Sequence, residues 1–400
     1  MSTEKKKRTL EASEKSFVTA MAVIFLMMVL TYGLTFIIPG GYIPFWKWLS
    51  SPVLVLFGED NTSLIAIIAL LVVLGGGFNS LDKFGILRWL LDKITARFGK
   101  NRKLLLAVIP LFFMMLGSAA GSFEECVPLV PVVVALAIRL GWDAMTGLGM
   151  SVLAIGCGFA AGVCNPFTIG VAQELAGLPM FSGMWLRGIA FVCIYAVLLG
   201  FLFLYVRKIE KPISELKLEN DENENQKKVI KPSSGSIWWK LAVTFKDGVV
   251  SVLPGVLLIL MANSIRFTMM EGNILDPILQ GAIGLADGLP RWSVILFIYG
   301  MALALNFFIP SGSAKAFLLM PLIVPLAQAF GISAQLCVVA FAFGDGFSNV
   351  FYPTNPVLLI SLGLANVSYV EWAKWSVKFQ LLNLLLTSGI LLFGMMIGYC

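Results

Sequence analysis

Long uncharged hydrophobic runs alternate with short charged segments along almost the whole chain. A helix needs about 20 consecutive apolar residues to cross the hydrocarbon of a bilayer. Several runs reach or exceed that length, so the pattern predicts a polytopic helical membrane protein. The runs cover residues 17–38, 61–81, 104–123, 144–173, 188–206, 248–265, 292–314, 316–344, 346–370 and 379–400.

A block of roughly sixty residues occurs twice, and both copies carry the same two interruptions. Each has a run of small residues shortly before a proline, at 117–121 and at 311–314, and an Asn-Pro pair further on. Pro128 aligns with Pro321, and the Asn-Pro pairs at 165–166 and 355–356 align with nearly the same spacing. Duplicated membrane helices with such breaks are typical of the midplane binding sites of secondary transporters.

Basic residues predict the orientation of the chain. Segments 1–16, 82–103, 139, 207–246 and 374–378 hold most of the 29 Lys and Arg residues, and the positive-inside rule places them in the cytoplasm. This predicts a multi-pass protein with a cytoplasmic N-terminus and a C-terminus on the opposite, periplasmic or extracellular, side of the membrane. The second copy then runs opposite to the first, as an inverted-topology repeat.

The fold expected from these patterns is an all-α polytopic membrane protein with an inverted repeat, two opposed re-entrant hairpins and two discontinuous transmembrane helices. The arms 103–117 and 122–138 are short for crossings, which favours a hairpin over two full spans. The expected parts are a cytoplasmic tail (1–16), scaffold spans with an interfacial helix (17–99), a first repeat of hairpin, broken helix and following span (103–206), a cytoplasmic linker (207–246), a scaffold span with an interfacial helix (248–290) and a second repeat (291–399).

Composition limits the class of protein. Hydrophobic residues make up 58% of the 400 residues and charged residues only 13%, which excludes an ordinary soluble domain. The six cysteines lie in apolar segments without metal-ligand spacing, and the chain has no histidine, so we expect neither an enzyme nor a cofactor. We attribute the net charge of +6 to cytoplasmic loops facing anionic lipid and expect no nucleic-acid partner.

The Asn-Pro pairs have a specific physical interpretation. Asn suits an N-cap and Pro suits the first helical turn, so Pro166 and Pro356 can each start a half-helix directly after a break. Proline should also release the carbonyl four residues earlier, at Gly162 and Tyr352. These carbonyls, with Asn165 and Asn355, are candidate Na+ ligands, whereas helices starting near 121 and 314 could hold a carboxylate.

Four charged residues lie at predicted membrane depth, where ionised groups are costly and usually pair or function. Glu124 and Glu125 follow the first tip, Lys315 lies at the second, and Asp345 precedes the second break. We hypothesise that Lys315 binds the carboxylate of a solute and that Glu124, Glu125 or Asp345 binds its ammonium group or the coupling proton. The alternative is that Lys315 only neutralises one of the Glu residues across a buried interface. The candidate solute and ion site comprises Ser118, Ala119, Ala120, Gly121, Ser122, Glu124, Glu125, Asn165, Pro166, Thr168, Ser311, Gly312, Ser313, Lys315, Asp345, Asn349, Thr354, Asn355 and Pro356.

The strings GSFEECVPLVPVV, NPFTIGVAQELAGLPMFSG, IPSGSAKAFLLMP and GDGFSNVFYPTNPVLL resemble the four-carbon dicarboxylate anaerobic carrier family, in particular its YfcC-like branch of candidate basic amino acid antiporters. The family is part of the ion transporter superfamily. The resemblance implies a homodimer with a static scaffold and a moving transport domain, an elevator. Sodium-dependent dicarboxylate carriers of that superfamily have Ser-Asn-Thr at both tips, whereas this chain has Ser-Ala-Ala at 118–120 and Ser-Gly-Ser at 311–313.

The expected function is secondary active transport of a small carboxylate-bearing solute. Two acids and one lysine suit an amino acid, such as a basic one moved by exchange, better than a dianion, because buried carboxylates repel a second negative group. The alternatives are a dicarboxylate or short-chain fatty acid carrier coupled to H+ or Na+ and, in a different class, an ion channel. A channel needs a continuous polar pore, which opposed hairpins would seal.

Overall fold

A computed structural model describes the chain continuously over residues 24–38, 42–58, 101–121, 123–210, 237–286 and 288–400, and at scattered positions from 18 to 22 and from 64 to 93. All of the regular secondary structure in these residues is helical. The predicted interfacial helix at 82–99, the linker at 211–236 and the N-terminal tail lie largely or wholly outside the described residues.

The first half of the chain contributes eight helices with continuous bounds. They are α1 (Ile24–Ile37), α2 (Phe45–Leu49), α3 (Ser51–Leu54), α4 (Arg102–Met115, continued by a π-helical turn over Leu116–Ala120), α5 (Val130–Arg139, preceded by a 3-10 turn over Glu124–Leu129), α6 (Ala154–Ala161, preceded by Ala144–Leu148 and a π-helical turn over Gly149–Leu153), α7 (Val171–Leu175, preceded by a π-helical turn over Pro166–Gly170) and α8 (Met184–Ile209).

The second half contributes seven more helices. They are α9 (Ile237–Glu271), α10 (Leu275–Gly284), α11 (Arg291–Phe308), α12 (Gly312–Ala329), α13 (Ala334–Asn349), α14 (Pro356–Leu364) and α15 (Tyr369–Met396). The order of α11 to α15 repeats that of α4 to α8: two helices joined by a short tip, an interrupted helix, and a long final helix. Six segments of the described chain are long and apolar enough to cross a membrane.

The two interrupted helices cross in the centre of the molecule. In the most apolar 18-residue stretch of the segment Ala144–Leu175, which is interrupted at 162–165, 89% of the residues are buried. In the corresponding stretch of the long helix Met184–Ile209 only 28% are buried, so this helix keeps an apolar surface for lipid. Close approach depends on glycine: a methyl group on Gly346 would overlap the backbone of Ala160, and one on Gly156 would collide with Val350. Small residues at such crossings let membrane helices pack backbone to backbone.

A smaller hydrophobic cluster lies apart from the main core. Helix α1, the segment of α2 around Trp48 and the middle of α9 form it through residues that include Ile24, Met28 and Ile265. From α14 only Leu359 belongs to this cluster. The peripheral helices therefore contact the repeats in large part through α14, on which α9 packs.

Several element bounds differ from those predicted. Residues 117–120, predicted to form the first tip, are helical, because α4 continues as a π-helical turn through Ala120. The second arm of the second hairpin starts at Gly312 rather than 314. Helix α9 extends over Ile237–Glu271, well beyond the predicted span at 248–266, because charged residues near its ends do not interrupt its helical hydrogen bonds.

Candidate functional site

Both helix breaks are closed by the same capping arrangement. Asn165 Oδ1 accepts hydrogen bonds from the amides of Phe167 (2.9 Å) and Thr168 (3.2 Å). Asn355 Oδ1 accepts them from Val357 (2.9 Å) and Leu358 (3.2 Å). In each case proline occupies the first turn, where its missing N–H leaves no further donor to satisfy. The predicted N-cap role of both asparagines is confirmed.

The π-helical turn at the end of α4 and the following Gly121 are docked on the break of their own repeat. Ser118 Oγ accepts from the amide of Val163 (3.0 Å), and the Ser118 carbonyl accepts from the amide of Cys164 (3.1 Å). Gly121 follows with a left-handed φ of 65°, and a methyl group there would overlap the Asn165 carboxamide. The tip therefore fixes Asn165 by direct contact, and no larger residue fits at this position.

A buried polar cluster, formed by Asn306, Lys315, Asp345, Ser348 and Asn349, fills the second repeat beside its break. Lys315 Nζ donates to Asp345 Oδ1 (2.6 Å), to the carbonyl of Ile309 (3.4 Å) and to Asn306 Oδ1. Lys315 and Asp345 are both fully buried. All three ammonium donors are therefore used inside the second repeat.

The amides of this cluster continue the network to the second break. Asn306 Nδ2 donates to Ser348 Oγ (2.6 Å), to Asn349 Oδ1 (3.0 Å) and to the carbonyl of Asp345 (3.1 Å). Asn355 Nδ2 donates to Asn349 Oδ1 (2.9 Å). Through Asn349, the cap of α14 is thus connected to the buried polar cluster that contains the Lys315–Asp345 ion pair.

The two repeats meet at their helix starts. A methyl group on Gly312, at the start of α12, would lie 2.5 Å from Asp345 Oδ2 and 2.9 Å from Thr168 Oγ1. On the other side, the turn Glu124–Leu129 at the start of α5 packs on α14. Helix N-termini carry partial positive charge and free amides. The arrangement therefore offers one region where several such ends and a carboxylate are close together.

Three buried side-chain atoms in this region have no hydrogen-bond partner among the described residues. They are Asp345 Oδ2, Asn165 Nδ2 and Thr354 Oγ1. Buried polar atoms are almost always paired, and the exceptions call for an explanation. The Asp345 oxygen carries negative charge and accepts hydrogen bonds, whereas the Asn165 and Thr354 groups can donate them. A small solute with a positively and a negatively charged end requires both kinds of partner.

The remaining predicted site residues are placed less tightly. Ser311, Gly312 and Ser313 are half-buried at the second tip, Ala120 is half-buried, and Ala119 is exposed. Ser122 lies outside the described residues, and the structure describes Glu124 and Glu125 only by their backbone, in the turn that starts α5.

The expectation for the freed carbonyls is wrong at one of its two positions. The Tyr352 carbonyl accepts a hydrogen bond from the amide of Asn355 (3.2 Å), because the second break folds into a turn. Asn165 Oδ1 and Asn355 Oδ1 are likewise engaged as caps. A Na+ site formed by Gly162, Asn165, Tyr352 and Asn355 stays a prediction. The side-chain oxygens of both asparagines already accept hydrogen bonds from backbone amides.

Two buried polar side chains of the candidate site were missed by the sequence analysis. Asn306, in the arm α11, is the hub of the buried cluster but lies in a run that is otherwise apolar. Arg187 is fully buried and donates through Nη2 (3.1 Å) and Nε (3.3 Å) to the carbonyl of Val163 in the first break. The available sequence signal was an arginine one turn into an apolar helix, since charged residues at membrane depth are usually paired or functional.

Neutral side chains serve the second break in the same way. Trp372 Nε1 donates to the carbonyl of Val350 (2.8 Å), and the Tyr369 hydroxyl donates to the carbonyl of Phe351 (3.0 Å). In both repeats the final long helix thus satisfies backbone carbonyls that the interruption exposes. Irregular backbone inside a membrane protein requires such partners.

Two capped breaks around a buried polar centre, within a set of membrane-length helices, define a multi-pass membrane protein of the secondary transporter class. The sequence matches a family model over residues 55–241 and 228–397. The chain belongs to the C4-dicarboxylate anaerobic carrier (DcuC) family. This confirms the family resemblance drawn from the motifs.

Individual relatives are more distant. A protein of Escherichia coli K12 named as a candidate basic amino acid antiporter, YfcC, is 26% identical over 407 residues, which cover 86% of this chain and 80% of the relative. A protein of Haemophilus influenzae is 23% identical over 372 residues, covering 79% and 73%. The YdaH transporter of Alcanivorax borkumensis, a solved structure, aligns over 95% of this chain and 99% of its own with 15% identity and a TM-score of 0.49.

Proposed function

We propose that the protein moves a small carboxylate-bearing solute, an amino acid in the first place, across the bacterial inner membrane by alternating access. The observation that carries this proposal is the meeting of helix starts at Gly312, where Thr168 of one repeat and Asp345 of the other both border the position that a Gly312 side chain would take. A site shared by two repeats can open to either side when one repeat moves against its surroundings.

The carboxylate of the solute is assigned to the helix starts. Backbone amides at helix N-termini bind anions through hydrogen bonds and partial charge. The unpartnered Asn165 Nδ2 adds a donor on the same side of the first break. Lys315 had been expected to bind this carboxylate, but its three donors are occupied within the described residues, so we now give it a supporting role.

The amino group of the solute is assigned to acidic side chains. Asp345 Oδ2 is buried and has no partner among the described residues, although Oδ1 of the same carboxylate is held by Lys315. Glu124 and Glu125 belong to the turn that starts α5 and packs on α14, and we assign further negative charge of the site to them. Extra acids at that position favour a basic amino acid, whose second cation they would neutralise.

Charge decides between an amino acid and a dianion. Two unit charges of the same sign 4 Å apart repel each other by about 4 kcal/mol at the effective dielectric of a protein. The repulsion from Asp345 is smaller than this because Lys315 neutralises much of its charge. A second carboxylate would nevertheless lie beside the unpartnered Asp345 Oδ2, where an ammonium group fits better.

A dicarboxylate is the runner-up substrate. The description of the matching family names C4-dicarboxylates, and a bound H+ or Na+ could offset the charge of the second carboxylate. The name of the Escherichia coli relative supports the amino acid instead.

For the movement we propose an elevator in a homodimer. Residues 103–206 and 291–399 would form the moving part, with two opposed re-entrant hairpins, while α1 and α9 would stay in the membrane as scaffold. This division is supported by the separate hydrophobic cluster that α1 and α9 form.

The test is exchange in proteoliposomes. Purified protein is screened for thermal stabilisation by amino acids and by dicarboxylates, with and without Na+, and the best ligands are tested for uptake against the same ligand inside the vesicles. We expect saturable uptake of an amino acid that is strongly accelerated by internal amino acid. Uptake of dicarboxylates alone would support the runner-up, and a leak that dissipates a gradient without exchange would show a channel.

Variants connect this test to the site. Glu124→Gln, Glu125→Gln and Asp345→Asn should each reduce uptake at least tenfold or change its pH dependence, whereas Glu174→Gln, at an exposed acid on α7, should leave both unchanged. If all three site variants transport like the wild type, the site assignment is wrong.

A further inference from the structure

The buried Lys315 ammonium is surrounded by the oxygen atoms that a metal cation would choose. Its three acceptors are a carboxylate (Asp345 Oδ1), an amide oxygen (Asn306 Oδ1) and a backbone carbonyl (Ile309). Carboxylates, amide oxygens and backbone carbonyls are also the ligands of hard cations. The second oxygen of Asp345 is buried nearby without a partner in the described part of the chain.

We propose that Lys315 is a tethered cation that occupies a monovalent-cation site in the second repeat, so that this half of the carrier works without a mobile Na+. The inference rests on the proposed transport function for its meaning, but the site can be tested without any solute. A tethered charge cannot dissociate, so it would offset part of the charge of Asp345 throughout the proposed transport cycle.

The buried carboxylate makes some cation necessary. An ionised Asp at full burial is strongly unfavourable unless it is paired and hydrogen-bonded. Asp345 is fully buried near the end of α13. The glycines on either side of it, Gly344 and Gly346, bring other helices close. Either a mobile ion or a side chain must supply the positive charge, and in this chain the side chain is present.

The internal repeat shows that this cluster is specific to the second half. Alignment of GCGF at 156–159 with GDGF at 344–347 places Cys157 opposite Asp345. The spacing that relates Pro128 to Pro321 places Phe113 opposite Asn306 and Ser122 opposite Lys315. The carboxylate, the amide and the ammonium therefore change together between the repeats, as a functional unit would.

A buried cation also serves the first break. The Arg187 guanidinium donates twice to the carbonyl of Val163, and its Nη1 has no partner among the described residues. Each interruption thus has a fixed positive side chain close to it. This agrees with a design in which protein cations replace mobile ones.

The test is to remove the tether and to offer free cations in its place. Lys315→Ala leaves the oxygen ligands and creates space for an ion. We expect its melting temperature to be low in choline chloride and to rise saturably, by about 3 °C or more, with NaCl or n-propylammonium chloride at equal ionic strength. The wild type and the control Lys374→Ala, at an exposed lysine, should show no such gain.

A double variant locates the effect. Lys315→Ala with Asp345→Asn removes both charges and should lose the response to both cations. A folded Lys315→Ala protein that responds to neither cation overturns the proposal, as does a response that survives in the double variant.

A measurement on the wild type covers the case in which Lys315→Ala does not fold in either salt. An experimental structure determined in NaCl should show the ammonium in contact with Asp345 and Asn306. A metal ion bound by these oxygens in the wild type would overturn the proposal. Because none of these measurements involves a solute, their failure leaves the transport function standing, and absence of uptake leaves this cation site standing.

Discussion

Removal of the Asn355 side chain is the sharpest test of the second helix break. Its Oδ1 accepts hydrogen bonds from the amides of Val357 and Leu358, and its Nδ2 donates to Asn349. Both amides belong to buried residues. Asn355→Ala therefore leaves two buried donors at the start of α14 and shortens the network that leads to Lys315.

The magnitude follows from these three bonds. Loss of an N-cap typically costs about 1 kcal/mol, and a buried donor left without a partner costs about 1–3 kcal/mol. With the bond to Asn349 included, Asn355→Ala should destabilise the protein by about 2–4 kcal/mol. For a unit the size of the two repeats this corresponds to a fall in melting temperature of about 5 °C or more.

The matched control is the cap of the last helix. Ser368 accepts from the amide of Glu371 (3.2 Å) in a capping box at the protein surface, where water can replace the lost bond. Ser368→Ala should cost only about 0.5–1 kcal/mol. Thermal unfolding of both variants in detergent, followed by light scattering and tryptophan fluorescence, gives the comparison. If Asn355→Ala melts no lower than Ser368→Ala, the capping argument is refuted.

Three further substitutions address other contacts of the site. Gly312→Ala should reduce uptake at least tenfold, because its methyl group would collide with Asp345 Oδ2 and Thr168 Oγ1, whereas Gly300→Ala, which has open space around it, should transport normally. Trp372→Phe removes the donor to the carbonyl of the second break and should lower the melting temperature by a few degrees, about 1–3 kcal/mol of stability; an unchanged melting temperature would show that the carbonyl has another partner. Arg187→Met should destabilise the first break in a thermal-unfolding assay, and equal stability with the wild type would contradict a role for the buried guanidinium.

The sequence was most informative where backbone chemistry is local. An Asn-Pro pair has few structural options inside an apolar run, since proline removes a donor and fixes φ while asparagine can accept from the following amides. For this reason the cap role of Asn165 and Asn355 is predictable from the sequence alone, and the two copies of the repeat can be aligned through these residues.

Contacts between distant segments were not predictable in the same way. Lys315 pairs with Asp345, thirty positions along the chain, whereas the sequence also offered Glu124 and Glu125 as partners. Charge type alone could not distinguish among these acids, because the choice depends on how α12 crosses α13. Asn306 was missed for a similar reason: its role comes from three neighbours on another helix.

The predicted boundaries of the first tip were wrong for a local reason that amino-acid composition does not reveal. Gly, Ser and Ala suggest a loop at 117–121, yet the π-helical turn at Leu116–Ala120 keeps this stretch helical. A wider turn places Ser118 where its hydroxyl and carbonyl can both reach the first break.

Helix α14 is a nine-residue rod with a different task at each end. Its first residues are held by the asparagine network, and Leu359, one turn further on, belongs to the peripheral hydrophobic cluster. In the proposed transport cycle, this one short helix would therefore connect the polar centre to the outer helices. A hydrophobic compound bound beside Leu359 would slow turnover without competing with the solute. Inhibitors that bind at this contact would therefore not be displaced by high solute concentrations.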